Sequence, residues 1–124
     1  MTGTGALNGF GNASANTLTG NAGNNTLDGL GGIDAYIGGL GNDTYIIDMT
    51  TDSISEAANA GTDTVLAGFS YTLATNLENI TLTGTKLINA TGNTGDNILT
   101  GNVAKNTLTG GLGNDTYVIQ DATD

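Results

Sequence analysis

Two aspartates, Asp43 and Asp115, each follow a run of glycines within nearly the same nine residues. Residues 38–46 read Gly-Gly-Leu-Gly-Asn-Asp-Thr-Tyr-Ile, and residues 110–118 repeat them with eight of nine positions identical. Glycines at positions 1, 2 and 4 permit positive φ, so backbone carbonyls can turn inward. The aspartate at position 6 adds a carboxylate, and Ca²⁺ prefers hard oxygen ligands of this kind. The pattern therefore predicts a calcium-binding loop in each stretch.

The composition restricts which metals and partners the chain can bind. Twelve acidic residues against two lysines give a net charge of −10. We therefore expect no nucleic-acid partner and no membrane insertion, because like charges repel and no apolar run is long enough to span a bilayer. The chain has no histidine and no cysteine, so any metal must be held by oxygen. Calcium ions are the expected partner.

A nine-residue period extends from both stretches toward the N-terminus. Further units of nine begin at Gly11, Gly20, Gly29, Gly92 and Gly101. Position 8 of the units is a large apolar residue throughout: Leu18, Leu27, Tyr36, Tyr45, Leu99, Leu108 and Tyr117. A strict period of nine does not match the 3.6-residue period of a helix and predicts a coil of short strands and turns. We expect the position-8 side chains to fill the core of that coil.

The period divides the chain into three parts. Residues 1–46 are the first nonapeptide array, and residues 82–124 are a second array that is cut off inside the next module. Residues 47–81 depart from the period, and we expect them to form wider coils that continue the same stack. Alternating apolar residues predict strands within residues 69–73 and 77–82. The two arrays aligned together suggest a piece of a longer tandem protein, or a unit that stacks on its neighbours.

The connecting residues 47–81 carry several acidic side chains outside the nonapeptides. We expect Asp48, Asp52, Glu56 and Asp63 to lie on a solvated acidic face, although a cation among them would relieve their repulsion. We expect residues 55–58 to cap one turn of helix. The sequence Gly-Thr-Asp-Thr-Val at residues 61–65 nevertheless echoes the second half of a nonapeptide.

Both glycine stretches fit the nonapeptide G-G-x-G-x-D-x-U-x, in which U is a large apolar residue, and the chain resembles the repeats-in-toxin (haemolysin-type calcium-binding) family. The resemblance implies an all-β fold, a right-handed parallel β-roll or β-solenoid with two nonapeptides per turn. It also implies that calcium lies between loops on the same edge, one turn of two nonapeptides apart.

The resemblance assigns calcium ligands to pairs of position-6 residues that lie one turn apart. The pairs are Asp34 with Asn16, Asp43 with Asn25, and Asp115 with Asn97. Backbone carbonyls are assigned to Gly29, Gly31, Gly38, Leu40, Gly110 and Leu112, with partners in Gly20–Ala22 and Gly92–Thr94. Because each pair has only one carboxylate, we expect weak sites, with dissociation constants of about 10⁻⁴–10⁻³ M.

Two loops depart from the family pattern, and the asparagines leave an alternative open. The unit beginning at Gly29 has its second glycine displaced to Gly31, so a distorted loop is expected there. The unit beginning at Gly101 is expected to bind no calcium. For the asparagines, the alternative is that stacked side-chain amides form ladders with no metal.

Three functions are compatible with these features. The first is a calcium-binding extracellular or cell-surface module, exported by bacterial-type secretion, that folds or rigidifies on Ca²⁺ and serves as a spacer, adhesin stalk, surface-layer or matrix component. The second is a self-assembling filament subunit that stacks end to end with itself. The third is the non-catalytic repeat region of a secreted polysaccharide-modifying enzyme. We expect no catalytic activity in the chain itself, because it contains no recognisable catalytic motif.

Overall fold

The computed structural model describes residues 3–121, which form thirteen short strands coiled into a parallel β-solenoid. The predicted all-β parallel solenoid is confirmed. No helix in the described residues is long and apolar enough to cross a membrane. The strands are β1 (Asn8–Phe10), β2 (Thr17–Thr19), β3 (Thr26–Asp28), β4 (Ala35–Ile37), β5 (Thr44–Ile47), β6 (Ser53–Ile54), β7 (Thr64–Ala67), β8 (Tyr71–Thr72), β9 (Asn79–Leu82), β10 (Ala90–Thr91), β11 (Ile98–Thr100), β12 (Leu108–Thr109) and β13 (Thr116–Val118).

Successive strands alternate between two walls of the coil. The odd-numbered strands form one continuous seven-stranded sheet in the order β1-β3-β5-β7-β9-β11-β13. The even-numbered strands form two three-stranded sheets, β2-β4-β6 and β8-β10-β12. Because every pairing is parallel and joins strands one turn apart, each turn of the coil uses two strands. This is the arrangement of two nonapeptides per turn that the resemblance implies.

The length of a turn is constant within the arrays and irregular between them. Thr26 pairs with Thr44, and Ile98 pairs with Thr116, so each of these turns spans two nonapeptides. From Thr44 the next partners are Thr64 and then Asn79, so the first of these two turns is longer than two nonapeptides and the second is shorter. The long sheet nevertheless runs through this region without interruption. Strands β8 and β9 lie within the two stretches that the alternating apolar residues predict.

Position 8 of the nonapeptides supplies the core, as predicted, except at the last strand. Leu27, Tyr45 and Leu99 are fully buried, and Tyr36 is 1% exposed. The rings of Tyr36 and Tyr45 pack edge to face with their centroids 6.0 Å apart. The expectation is wrong for Tyr117, which is 47% exposed because β13 is the last strand of its sheet within the described residues.

The predicted helical turn at residues 55–58 is also wrong. The backbone N–H of Ser55 donates to the carbonyl of Tyr36 at 3.0 Å, which extends the strand ladder beyond β6. The residues that follow are irregular and then form a turn at 58–59.

Candidate metal centre

The position-6 residues form two columns along the edges of the solenoid, and each aspartate is bonded to the loop one turn before it. Oδ1 of Asp34 accepts from the backbone N–H of Asn16 at 2.7 Å. Oδ1 of Asp43 accepts from that of Asn25 at 2.7 Å. In the second array, Oδ1 of Asp115 accepts from that of Asn97 at 3.0 Å. The structure therefore brings together all three pairs that the resemblance implies.

Both columns continue into the connecting residues. The backbone N–H of Asp34 donates to Oδ1 of Asp52 at 2.9 Å, and that of Asp43 donates to Oδ1 of Asp63 at 2.7 Å. The N–H of Asp63 donates in turn to Oε2 of Glu78 at 2.8 Å. Asp52, Asp63 and Glu78 thus accept the backbone hydrogen bonds that position-6 side chains accept within the arrays.

The predicted solvated acidic face is consequently wrong for two of its four members. Asp52 is 9% exposed and Asp63 is 1% exposed, whereas Asp48 is exposed and Glu56 is half-buried. Burial follows from their place in the columns, since each must reach inward to the backbone of the preceding turn. The echo of a nonapeptide at residues 61–65 is the sequence signal that identifies Asp63.

Loops with asparagine at position 6 are closed by their own side chains. Oδ1 of Asn25 accepts from the backbone N–H of Asn21 at 2.7 Å, and Nδ2 of Asn25 donates to Oδ1 of Asn21 at 3.0 Å. That same Asn21 oxygen accepts from the N–H of Gly23 at 2.8 Å. The Nδ2 of Asn21 also donates to the carbonyl of Gly5 in the preceding turn at 3.1 Å. The amide-to-amide bond lies within the loop, whereas an amide ladder would join side-chain amides of successive turns. The bond from position 2 to the position-6 oxygen recurs in three other loops, in the pairs Asn12–Asn16, Asn93–Asn97 and Asn102–Asn106.

Two of the loops with aspartate at position 6 leave a carboxylate oxygen without a partner. Asp34 and Asp43 are each 1% exposed, and their Oδ2 atoms accept no hydrogen bond from any described residue. Burying an anionic oxygen in this way is costly, because its lost hydration is not replaced. Position 2 of the Asp43 loop is Gly39, with φ of +107°, and it has no side chain to close the loop. These loops are therefore electrostatically incomplete.

Three of the predicted carbonyl ligands lie between stacked loops. A Cβ placed on Gly20 would overlap the carbonyl oxygen of Gly38, and one on Gly92 would overlap that of Gly110. The Gly29 carbonyl takes the same place beside Gly11. The other three carbonyls, those of Gly31, Leu40 and Leu112, belong to position 3, where both leucine side chains are exposed.

The Gly29 loop keeps the backbone of its counterparts despite the displaced glycine. Leu30 at position 2 has φ of +58°, and Gly32 at position 4 has φ of +119°. Gly39 and Gly41 occupy the same positions of the next unit, with φ of +107° and +102°. The displaced glycine therefore leaves φ positive at positions 2 and 4, and Leu30 is the residue that is held in a strained conformation.

Two groups of three carboxylates gather where the first array meets the connecting residues. Within each group the nearest oxygens lie within 4.8 Å of one another, and the groups are Asp34 with Asp48 and Asp52, and Asp43 with Glu56 and Asp63. The pKa of Asp63 is raised to about 6, mainly by burial and in smaller part by repulsion from Glu56, Asp43 and Glu78, against the hydrogen bond from the Asp43 N–H, which lowers it. Burial also raises the pKa of Asp43, with a further contribution from the charge of Glu56.

The donor set fits a hard cation. It consists of carboxylate and carbonyl oxygens, the two loop carboxylates have buried oxygens with no hydrogen-bond donor among the described residues, and the glycines leave no side chain in the space between stacked loops. The only lysines in the chain are Lys86 and Lys105, so the acidic groups of the first array have no nearby cationic residue in sequence. An oxygen-rich anionic site of this kind suits Ca²⁺.

Comparison with known proteins gives one match. The family described as the RTX calcium-binding nonapeptide repeat matches residues 10–45 and 89–117, in four copies. These ranges cover just over half of the chain and contain every predicted position-6 pair, but they do not contain Glu56 or Asp63. Neither a curated protein nor a solved structure matches significantly.

Proposed function

The chain belongs to the RTX calcium-binding nonapeptide repeat family, and on that premise we propose that it is a calcium-stabilised β-solenoid module with a structural role outside the cell. Proteins with these repeats bind calcium and are typically secreted, and the repeats are generally structural and not catalytic. The proposed role is that of a spacer, adhesin stalk, surface-layer or matrix component.

The observation that carries the proposal is the pair of buried, unpartnered Oδ2 atoms of Asp34 and Asp43. A calcium ion beside each would replace the hydration that burial removes. With Asp115, these residues are the proposed carboxylate ligands, and carbonyls come from their own glycine loops. Asn16, Asn25 and Asn97 contribute backbone N–H groups that orient the carboxylates, whereas their side-chain oxygens are already bonded within their own loops and are weaker candidates for ligands.

The proposed role follows from linkage between calcium and folding. Metal-free protein has a net charge of −10 and a set of buried carboxylates that repel one another. Ca²⁺ that binds only the coiled form stabilises it by mass action. Sites with dissociation constants of about 10⁻⁴–10⁻³ M would fill at extracellular calcium and stay empty at cytosolic calcium. The module would therefore become rigid only after export.

Thermal unfolding and circular dichroism in calcium and in chelator test the proposal. At 10 mM CaCl₂ each such site should stabilise the fold by about 1.4–2.7 kcal/mol, and chelator should reverse the effect. Magnesium chloride at the same concentration is the control, because Mg²⁺ keeps its waters and fits all-protein sites poorly. Identical spectra and identical midpoints in all three solutions would rule out a calcium-stabilised module.

A filament subunit is the second candidate, and the exposed ends of the long sheet favour it. Tyr117 and Val118 of β13 and the following Ile119 are 42–49% exposed, and Phe10 of β1 is 67% exposed. A strand laid on either edge would cover these side chains and pair the free backbone groups. Sedimentation velocity at increasing protein concentration separates the two candidates, since a spacer stays monomeric and a filament subunit grows.

A further inference from the structure

The strongest unassigned feature is the group formed by Asp43, Glu56 and Asp63. Two of these residues belong to the connecting stretch, outside the ranges that match the calcium-binding repeat. The turn that joins Asp43 to Asp63 is longer than the two nonapeptides that make a turn within the arrays. Asp63 therefore continues the position-6 column across an irregular turn, and Glu56 has no counterpart in the nonapeptide pattern.

The spacing of the three carboxylates is that of ligands around one ion. Their nearest oxygens all lie within 4.8 Å of one another. Calcium binds oxygens at about 2.3–2.6 Å, so oxygens on opposite sides of one ion are about 5 Å apart. The three groups can consequently reach the same cation without a change in the backbone.

The second and independent observation is that two of these carboxylates are buried with an oxygen unused. Asp43 and Asp63 are each 1% exposed, and the Oδ1 atom of each accepts a hydrogen bond from a backbone N–H of the preceding turn. Oδ2 of each has no hydrogen-bond partner among residues 3–121. Buried polar atoms in folded proteins nearly always have a partner, so each of these oxygens requires an ion or a water beside it.

Tyr45 connects the unpartnered oxygens to Glu56. Its hydroxyl donates to Oε2 of Glu56 and holds that carboxylate against the core. A Cβ placed on Gly38 would overlap both Oδ2 of Asp43 and the Tyr45 hydroxyl, which shows that these two oxygens face the same small space. The phenol is neutral and buried, so it orients Glu56 without neutralising the three carboxylates.

We propose that the ion assigned above to Asp43 is also bound by Glu56 and Asp63, in a three-carboxylate site for one divalent cation of calcium size. The ion would fix the connecting stretch to the first array, and the inference rests on the proposed function because it names further ligands of one of its sites. The site differs from the glycine-loop sites because Glu56 and Asp63 supply two of its three charges from outside the nonapeptides. The group of Asp34, Asp48 and Asp52 does not support the same proposal. Only Asp34 in that group has a buried oxygen without a hydrogen-bond partner among the described residues, whereas Asp43 and Asp63 both have one, and Asp48 is exposed.

Calorimetric titration of the full chain with CaCl₂ tests the site through Glu56→Gln. Glutamine keeps the length of the side chain and an acceptor for Tyr45, and it loses the charge together with the acceptor for the exposed Ala57 N–H. We expect the variant to bind one calcium ion fewer than the wild type, or to bind one of the ions with an affinity at least tenfold weaker. Asp115→Asn is the matched control in the second array, and it should leave this site unchanged. Unchanged stoichiometry and affinity in Glu56→Gln would overturn the proposal.

The same titrations separate this proposal from the proposed function. A wild-type chain that binds one ion, lost in Glu56→Gln and kept in Asp115→Asn, supports this site and contradicts binding by the second array. A wild-type chain that binds no calcium contradicts both. If Glu56→Gln does not fold in chelator, as judged by circular dichroism, anomalous scattering from crystals of the wild-type chain grown with Tb³⁺ decides. A peak among the three carboxylates supports the site, and peaks only at other places overturn it.

Discussion

At the scale of single residues, the residue type at position 2 of a nonapeptide correlates with the residue type and the hydrogen bonding at position 6. Where position 2 is asparagine, as in Asn21, position 6 is also asparagine, and the two side chains close the loop. Where position 2 is Gly39, position 6 is an aspartate with an oxygen left over. The chain thus contains self-closed loops and loops that lack a positive partner, built on one backbone. The difference between the two kinds of loop lies in their side-chain hydrogen bonds, which the structure shows, whereas the residue types at positions 2 and 6 can be read from the sequence.

Replacing Leu30 with glycine should stabilise the protein. Leu30 has φ of +58°, a left-handed conformation that costs a residue with a Cβ about 1–2 kcal/mol. Part of that gain is offset because glycine is more flexible in the unfolded chain, so we expect a net gain of about 0.5–1 kcal/mol. The side chain is 47% exposed, so little apolar burial is lost. Chemical denaturation in saturating calcium gives the free energy of unfolding.

Gly31→Ala is the control for this prediction. Gly31 does not have positive φ, and the nearest atom to an added Cβ is Cα of Ala13 at 3.8 Å. Alanine should therefore change the free energy of unfolding by less than about 0.5 kcal/mol. A loss of stability in Leu30→Gly would show that the leucine side chain contributes more than its backbone costs.

At the scale of elements, the loops determine how closely the turns stack. Each parallel strand is only two to four residues long, so strand pairing alone gives few hydrogen bonds per turn. The loops add bonds between turns, such as that from the N–H of Asn42 to Oδ1 of Asn24 at 2.8 Å. Glycine at position 1 allows the loops to approach this closely. The loops are therefore structural elements of the solenoid, as the strands are.

Gly20→Ala should be strongly destabilising. The added Cβ would overlap the carbonyl oxygen of Gly38 and Oδ1 of Asn25, both of which are held in place by the stack. Moving them apart should cost about 2–3 kcal/mol, in the range of other overpacked sites. Thermal unfolding measured with and without calcium should show a lower midpoint in both conditions.

Gly68→Ala provides the matched comparison on the same coil. Its added Cβ would meet only Oγ1 of Thr83 at 3.5 Å, an ordinary van der Waals contact. This variant should unfold close to the wild-type midpoint. Equal midpoints for Gly20→Ala and Gly68→Ala would contradict the close stacking of loops.

At the scale of the whole molecule, acidic charge and burial combine to make the metal-free protein sensitive to pH. The pKa of Asp63 is raised from 3.8 to about 6, mainly by burial and in smaller part by repulsion from Glu56, Asp43 and Glu78. The pKa of Asp43 is raised as well, again mainly by burial. A group whose pKa is raised on folding holds its proton more tightly in the native state. Its contribution to stability is full below the unfolded pKa and is lost as pH rises through the folded pKa.

In chelator, the free energy of unfolding should therefore fall as the pH rises from about 4 to about 7. Saturating calcium should reverse the slope, because the ion binds the ionised carboxylates and competes with protons. Denaturation midpoints at several pH values, with and without calcium, measure both slopes. A metal-free protein that is more stable at pH 7 than at pH 4 would contradict the burial of uncompensated carboxylates.

Much of the architecture follows from the sequence, because a nine-residue period is a local property that each unit repeats. Leu27, Tyr45 and Leu99 occupy position 8 and are buried, and Asp43 and Asn25, at equivalent positions one turn apart, are joined by a hydrogen bond. The same logic fails where the period stops. Residues 47–81 lack the period and predict wider coils, but they do not predict that one turn is longer than two nonapeptides and the next is shorter, because no repeat sets the length of a turn there.

The solenoid, its core positions and the oxygen-only chemistry of its loops can all be derived from the order of the residues. Three features arise only on folding: Asp63 is buried against Asp43, Glu56 joins them, and the asparagine loops close on themselves. The physical reason is that a repeat places neighbours by regular spacing, whereas the carboxylate contacts join residues across an irregular turn. Their register is set by packing and by hydrogen bonds between distant parts of the chain, which a local pattern does not contain.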